Sequence, residues 1–161
     1  MNLSDYDPIR RPRMTRRVLR GFSAEAFAEA RRNTNISVAD LARMTAVSQA
    51  SLFNWERGKG TPQIDLLARV MAYLKTPIEQ VVKVPVGERY PGDWRVIRGM
   101  TQPELAAAAG IATSTLKGIE RADSALTDAN ATTLAGLLGI SPAEYRAAYE
   151  RARQRPPGTT A

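Results

Sequence analysis

The sequence predicts an all-α protein built from two tandem five-helix units behind a basic N-terminal arm. Three observations carry that prediction. Apolar residues recur at helical spacing behind short polar residues suited to helix starts. Strand-like alternation is confined to "VVKVPV", residues 81–86, where Pro85 makes a poor strand. A shift of 64 residues lays one half of the chain over the other, and the positive charge is gathered at one end.

The arm comes first. Residues 1–22 hold six Arg against two Asp, whereas residues 101–161 hold equal numbers of basic and acidic groups, in a chain of net charge +7. Arg outnumbers Lys nineteen to four. A guanidinium forks onto phosphate and suits narrow, electronegative grooves, so Arg10, Arg11, Arg13, Arg16, Arg17 and Arg20 are candidates for a nucleic-acid backbone or minor groove. The competing reading is a flexible, solvated tail.

The first unit, 23–82, follows. Ser23 is placed to cap a helix running to about Asn33, with Phe22 and Phe27 as a hydrophobic staple. Ser37 or Ile36 starts a second helix, "SVADLARMT", and Thr45–Ala46 form a turn. Ser48 caps a third, "QASLFNWER", which Gly58 stops. Thr61 and Pro62 open a fourth helix as cap and first residue, and Thr76, Pro77 and Glu79 open a fifth as a capping box. A linker, 83–92, is rich in Pro and Gly. The second unit, 93–154, repeats the first: Ser37, Leu41, Leu52, Trp55, Glu56, Val70 and Leu74 land on Thr101, Leu105, Leu116, Ile119, Glu120, Leu134 and Leu138. Ser141, Pro142 and Glu144 form another capping box after one inserted residue. Residues 155–161 are expected to be a disordered tail.

Several function classes fall away. The chain has no Cys and no His, which excludes thiol catalysis, disulfides, zinc fingers and histidine chemistry. No carboxylate pair, phosphate loop or nucleophile–base pair stands out, so an enzyme is not expected, and neither a cofactor nor a metal is implied. The N-terminus lacks the apolar stretch of a signal peptide and no run is long enough to cross a membrane, so a soluble, cytoplasmic protein is expected.

Two helices joined by a short turn, the second opening on short polar residues, make a helix-turn-helix. Leu52 and Trp55, three apart, anchor the third helix inward. That leaves Gln49, Ala50, Phe53 and Asn54 facing out, where Gln and Asn can pair with an adenine edge and Phe53 can meet a thymine methyl or the neighbouring loop. "SVADLARMTAVSQASLFNWERGKGTP" and "TQPELAAAAGIATSTLKGIERA" resemble the Cro/C1-type (XRE-like) helix-turn-helix family, whose fold is lambda-repressor-like. The resemblance covers roughly residues 24–82 and 93–150. It implies groove contacts from Ser48, Gln49, Ala50 and Asn54, backbone contacts from Ser51, Arg57 and Lys59, and structural pairs Arg31–Glu56 and Arg95–Glu120.

The units depart from the pattern differently. The first has Val38 where the family carries Gln, and Ala46 in place of the turn Gly. The second keeps Gln102 and Gly110, but its outward face is Ala112, Thr113, Ser114, Lys117 and Gly118. Gln102, Thr113, Ser114, Thr115 and Lys117 are its candidate DNA contacts. The alternative is a fold retained for dimerisation or partner binding. The resemblance implies binding to double-stranded DNA. Occupying a promoter is the cheaper mechanism for a chain of this size, so a bacterial, nucleoid-associated transcriptional repressor bound as monomer or homodimer is expected. Two unlike heads further suggest a phage immunity (lysogeny) repressor reading an asymmetric site. The rival is an antitoxin-like autoregulator whose second unit holds a protein.

Overall fold

The computed structural model describes residues 18–161. Nine α-helices order the chain among these residues: α1 (Ala24–Asn33), α2 (Val38–Thr45), α3 (Gln49–Glu56), α4 (Ile64–Tyr73), α5 (Pro91–Ile97), α6 (Gln102–Ala109), α7 (Thr113–Glu120), α8 (Asp128–Leu138) and α9 (Pro142–Arg153). The 64-residue shift carries both ends of α2 onto α6, and both ends of α3 onto α7. The cause is local. Ser37, Ser48 and Thr101 each accept the backbone N–H three residues on, at 3.1 to 3.3 Å, which satisfies donors that a helix start leaves unpaired.

Each unit has its own core. In the first, Phe27, Leu41, Leu52, Leu67 and Val70 are fully buried. The expected staple is present, with the Phe22 and Phe27 rings 5.9 Å apart, and Phe27 meets Trp55 edge-on at 5.7 Å. In the second, Leu105, Leu116, Ile119, Leu134 and Tyr145 are fully buried around Trp94.

Three expectations need correction. The fourth helix begins at Ile64 with Gln63 as cap, not at Thr61, because the Thr61 hydroxyl accepts the Leu19 N–H at 2.7 Å. The fifth element of the first unit is a single 3-10 turn, Ile78–Gln80. There the Thr76 hydroxyl donates backwards to the Leu74 carbonyl at 3.0 Å, so no capping box forms. The chain beyond is drawn into an antiparallel bridge, Phe22 with Val82, flanked by Ser23 N–H to Val81 O at 2.8 Å and Lys83 N–H to Gly21 O at 2.7 Å. Last, residues 155–161 are not a free tail: Thr159 N–H bonds Pro156 O at 3.1 Å and Arg155 Nε donates to Thr159 O at 3.0 Å.

The same bridge shortens the arm. Of residues 1–22 only 18–22 are described, and there Leu19 and Phe22 pack on the first core. Arg10, Arg11, Arg13, Arg16 and Arg17 lie outside the described residues. Helix α5 starts at Pro91, inside the expected linker.

Candidate nucleic-acid interface

Helix α3 is held from behind. Leu52 and Trp55 are buried, and this i, i+3 pair turns the rest of the helix outward. Ser48, Gln49, Ala50, Phe53 and Asn54 are all exposed, and Ser51 is half-buried. The Ser48 hydroxyl accepts the Ser51 N–H and donates to the Ser51 hydroxyl at 2.9 Å. Both serines are therefore committed first to starting the helix, while Gln49 and Asn54 keep exposed amides. Phe53 is 38% exposed and lies under the Arg57 guanidinium, 5.4 Å from the ring centroid. That contact holds Arg57 beside the outward face of α3. Lys59 is exposed in the loop that follows.

Two brackets fix α3. The Arg31 Nε and Nη2 groups both donate to Glu56, and Nη1 donates to the Ile36 carbonyl at 2.9 Å. One guanidinium thus ties α1, the entry to α2 and the end of α3. From the other side Arg69 of α4 donates to the Thr45 carbonyl at 3.1 Å. It holds the turn between α2 and α3, where Ala46 adopts a left-handed φ of 56°. The family pairing implied Arg31, but nothing in the sequence singled out Arg69.

The second unit repeats the first bracket at the same offset. Arg95 donates to Glu120 at 2.6 and 3.2 Å, and to the Met100 carbonyl at 2.8 Å. Both partners are buried, so this is no surface pair. Gln102, a candidate DNA contact, donates its amide to Glu120 at 2.7 Å. Val38, its counterpart, is buried instead.

The outward face of α7 differs in kind. Ser114, Thr115 and Lys117 are exposed and Thr113 half-buried, but the cap is Ala112, which offers no side-chain acceptor. Gly118 has a packing reason that the sequence hid. A Cβ there would lie 2.2 Å from Ser124 Oγ and 3.0 Å from Ser124 Cβ. The loop bonds straight onto the helix, with Asp123 and Ser124 N–H groups 2.9 and 3.1 Å from the Gly118 carbonyl. Tyr149 of α9 pins it by donating to Ser124 O at 2.9 Å. Where Asn54 projects in the first unit, the second is covered by its own chain.

Arg20, placed with the arm, points elsewhere. It pairs with Asp93 of α5 and stacks 4.2 Å from the Tyr90 ring centroid. Burial raises the Asp93 pKa above the ordinary carboxylate value, opposed by the Tyr90 N–H and by Arg20. Tyr145, enclosed in the second core, is raised by burial and by the nearby Glu120 charge.

A cleft of about 530 Å³ separates the two motifs. Ser51 of α3 borders it on one side, and Thr101, Gln102 and Pro103 at the start of α6 on the other. No helix among the described residues is long and apolar enough to cross a membrane. The family described as Helix-turn-helix matches the chain twice, at residues 27–81 and 93–145. No curated protein matches it.

Proposed function

The chain belongs to the helix-turn-helix family, whose members are DNA-binding transcription regulators, and from that premise we propose a sequence-specific repressor of double-stranded DNA. One observation carries the proposal: Gln49, Ala50, Phe53 and Asn54 form an exposed, uncovered face on a helix that Leu52, Trp55 and the Arg31–Glu56 bracket hold rigidly. Two exposed amides on a fixed helix suit base edges in a major groove. Arg57 and Lys59 at its C-terminal end suit the flanking phosphates, as do the arm arginines. Occupying a promoter is a mechanism that two such units support by themselves.

The two heads are unlike, so they suit an asymmetric site bound by one chain, the logic of a compact phage immunity repressor. Selection from a random duplex pool should return a site without dyad symmetry, and sedimentation should find one chain per duplex. A stable two-to-one complex on a palindrome would sink the one-chain reading. Within the selected site, the double substitution Gln49→Ala/Asn54→Ala should abolish sequence preference, since each bidentate contact discriminates by about 1–3 kcal/mol. An unchanged preference would refute the assignment of α3 as the reader.

A second reading draws on the covered face of α7, where Ser124 lies over Gly118. With no net charge over residues 101–161, the second unit suits a protein partner, as in an antitoxin-like autoregulator. Co-purification of a small partner that survives loss of α3 contacts would favour it.

A further inference from the structure

We infer that Arg20 is a positioning residue: it pins a clasp that locks the two units into one body and so sets the spacing between the DNA subsites the chain accepts. The clasp stands on the structure alone, whereas the spacing rests on the two-headed reading above.

The backbone around Arg20 belongs to the first unit. Leu19 N–H donates to Thr61 Oγ1 at 2.7 Å, and Gly21 and Phe22 pair with the segment around Val82. The side chain crosses to the second unit. It donates to Asp93 Oδ2, reaches the Glu88 carbonyl at 3.3 and 3.4 Å, and sits over the Tyr90 ring. Asp93 is a fixed receiver, only 8% exposed, because its Oδ2 also accepts the Tyr90 N–H at 2.8 Å in the first turn of α5. An ion pair between two mobile surface groups is worth little. Here one partner is rooted in one core and the other in a helix start of the second.

The seam has further contacts. Arg89 is buried, donating Nε to Val84 O at 3.0 Å with its guanidinium 4.4 Å from the Trp94 ring centroid. Arg151 of α9 reaches back to the Arg89 carbonyl at 2.8 Å. A Cβ at Gly99 would stand 3.1 Å from both Ala68 and Ile78 of the first unit, so α5 and the first unit already touch there. Val96 packs against the first core. Arg20 and Asp93 line the same cleft that Ser51 and Gln102 border. The clasp therefore sits between the two motifs, where a change of angle would alter their separation directly.

Inserting one base pair between subsites displaces the second by about 3.4 Å and turns it by roughly 35°. A locked body cannot follow. Arg20 is the part that can be removed without opening a core, since its side chain is 39% exposed.

The chain has no Cys, so Glu29→Cys with Glu150→Cys places spin labels cleanly on exposed sites of α1 and α9. Without DNA, the full chain should give a narrow distance distribution that broadens in Arg20→Ala and stays narrow in Arg32→Ala, which removes the same charge from an exposed position of α1. An unbroadened Arg20→Ala distribution overturns the clasp. On the selected duplex, a one-base-pair insertion should weaken the parent chain by about tenfold or more and Arg20→Ala by less than about threefold, within the range that one damaged contact spans. Equal losses in the two proteins overturn the positioning role. If the labels report loosening but the parent chain tolerates the insertion, the spacing claim falls with the two-headed reading and the clasp remains.

Discussion

Gly110 and Ala46 occupy the same place in the two units, at the turn between the paired motif helices, and both are left-handed, with φ of 70° and 56°. This conformation costs an L-residue about 1–2 kcal/mol and glycine almost nothing. Glycine loses more freedom on folding, which returns about 0.5–1 kcal/mol of that difference. Surroundings usually confuse such estimates, but a Cβ added at Gly110 meets nothing within 4 Å. No new contact offsets the strain and no clash adds to it. Gly110→Ala should therefore destabilise the chain by about 0.5–1 kcal/mol. Ala46 is exposed, so Ala46→Gly should stabilise it by a similar amount. At about 2–4 °C per kcal/mol for a chain of this size, the Tm shifts are roughly 1–4 °C in opposite directions. Urea midpoints and thermal scans of the full chain measure both. Shifts of the same sign in the two variants would refute the backbone-strain account.

Three shorter predictions follow from the interface. Gly118→Ala should destabilise by about 1–3 kcal/mol despite alanine's better helix propensity, because Ser124 must move; a higher urea midpoint would show that the loop yields freely. Asp93 has a raised folded pKa, so the folded state holds its proton more tightly than the unfolded chain. Its contribution then declines as pH rises from the unfolded value near 3.8 through the raised folded value. Stability of the parent chain relative to Asp93→Asn should fall over that window, and a relative stability that grows with pH contradicts it. Finally, Arg57→Ala and Lys59→Ala should each lower the salt dependence of DNA binding by about 0.9 log–log units if they meet phosphates; titrations over a range of salt will show an unaltered slope if they do not.

The elements legible in the sequence were those whose signals are local. Ser23, Ser37, Ser48 and Ser141 cap where their neighbours implied, each accepting an N–H three residues away. Thr61 and Thr76 carry the same Thr-Pro grammar and do not. The Thr61 hydroxyl takes up a donor 42 residues away, and Thr76 turns back to Leu74. A capping signal says what a hydroxyl can do, whereas competition from distant chain decides what it does. The outward set on α3 was readable because Leu52 and Trp55 define the inner face by spacing. Arg20 was not, since charge counting groups it with the arm and its partner lies 73 residues on. Gly118 stood in the sequence only as one position of an outward face, and the approach of Ser124 gives it a packing reason.

The two units show how a motif can change its outward face without moving the helix that carries it. Arg31 and Arg95 make the same three-point bracket, to Glu56 and Ile36 in one case and to Glu120 and Met100 in the other. The bracket acts behind the helix and touches none of the outward side chains, so faces can diverge over an unaltered frame. In the first unit the exposed amides of Gln49 and Asn54 remain available. In the second, the Gln102 amide is spent on Glu120, and the Ser124 loop closes over Gly118. Its remaining polar groups, Thr113, Ser114 and Lys117, lie in the first turns of α7, away from the covered end. On the proposed reading, specificity carried by base edges is thereby concentrated in α3. What the second unit adds depends on how firmly it is held beside the first, which is why a single arginine at the seam matters more than the charge count suggests.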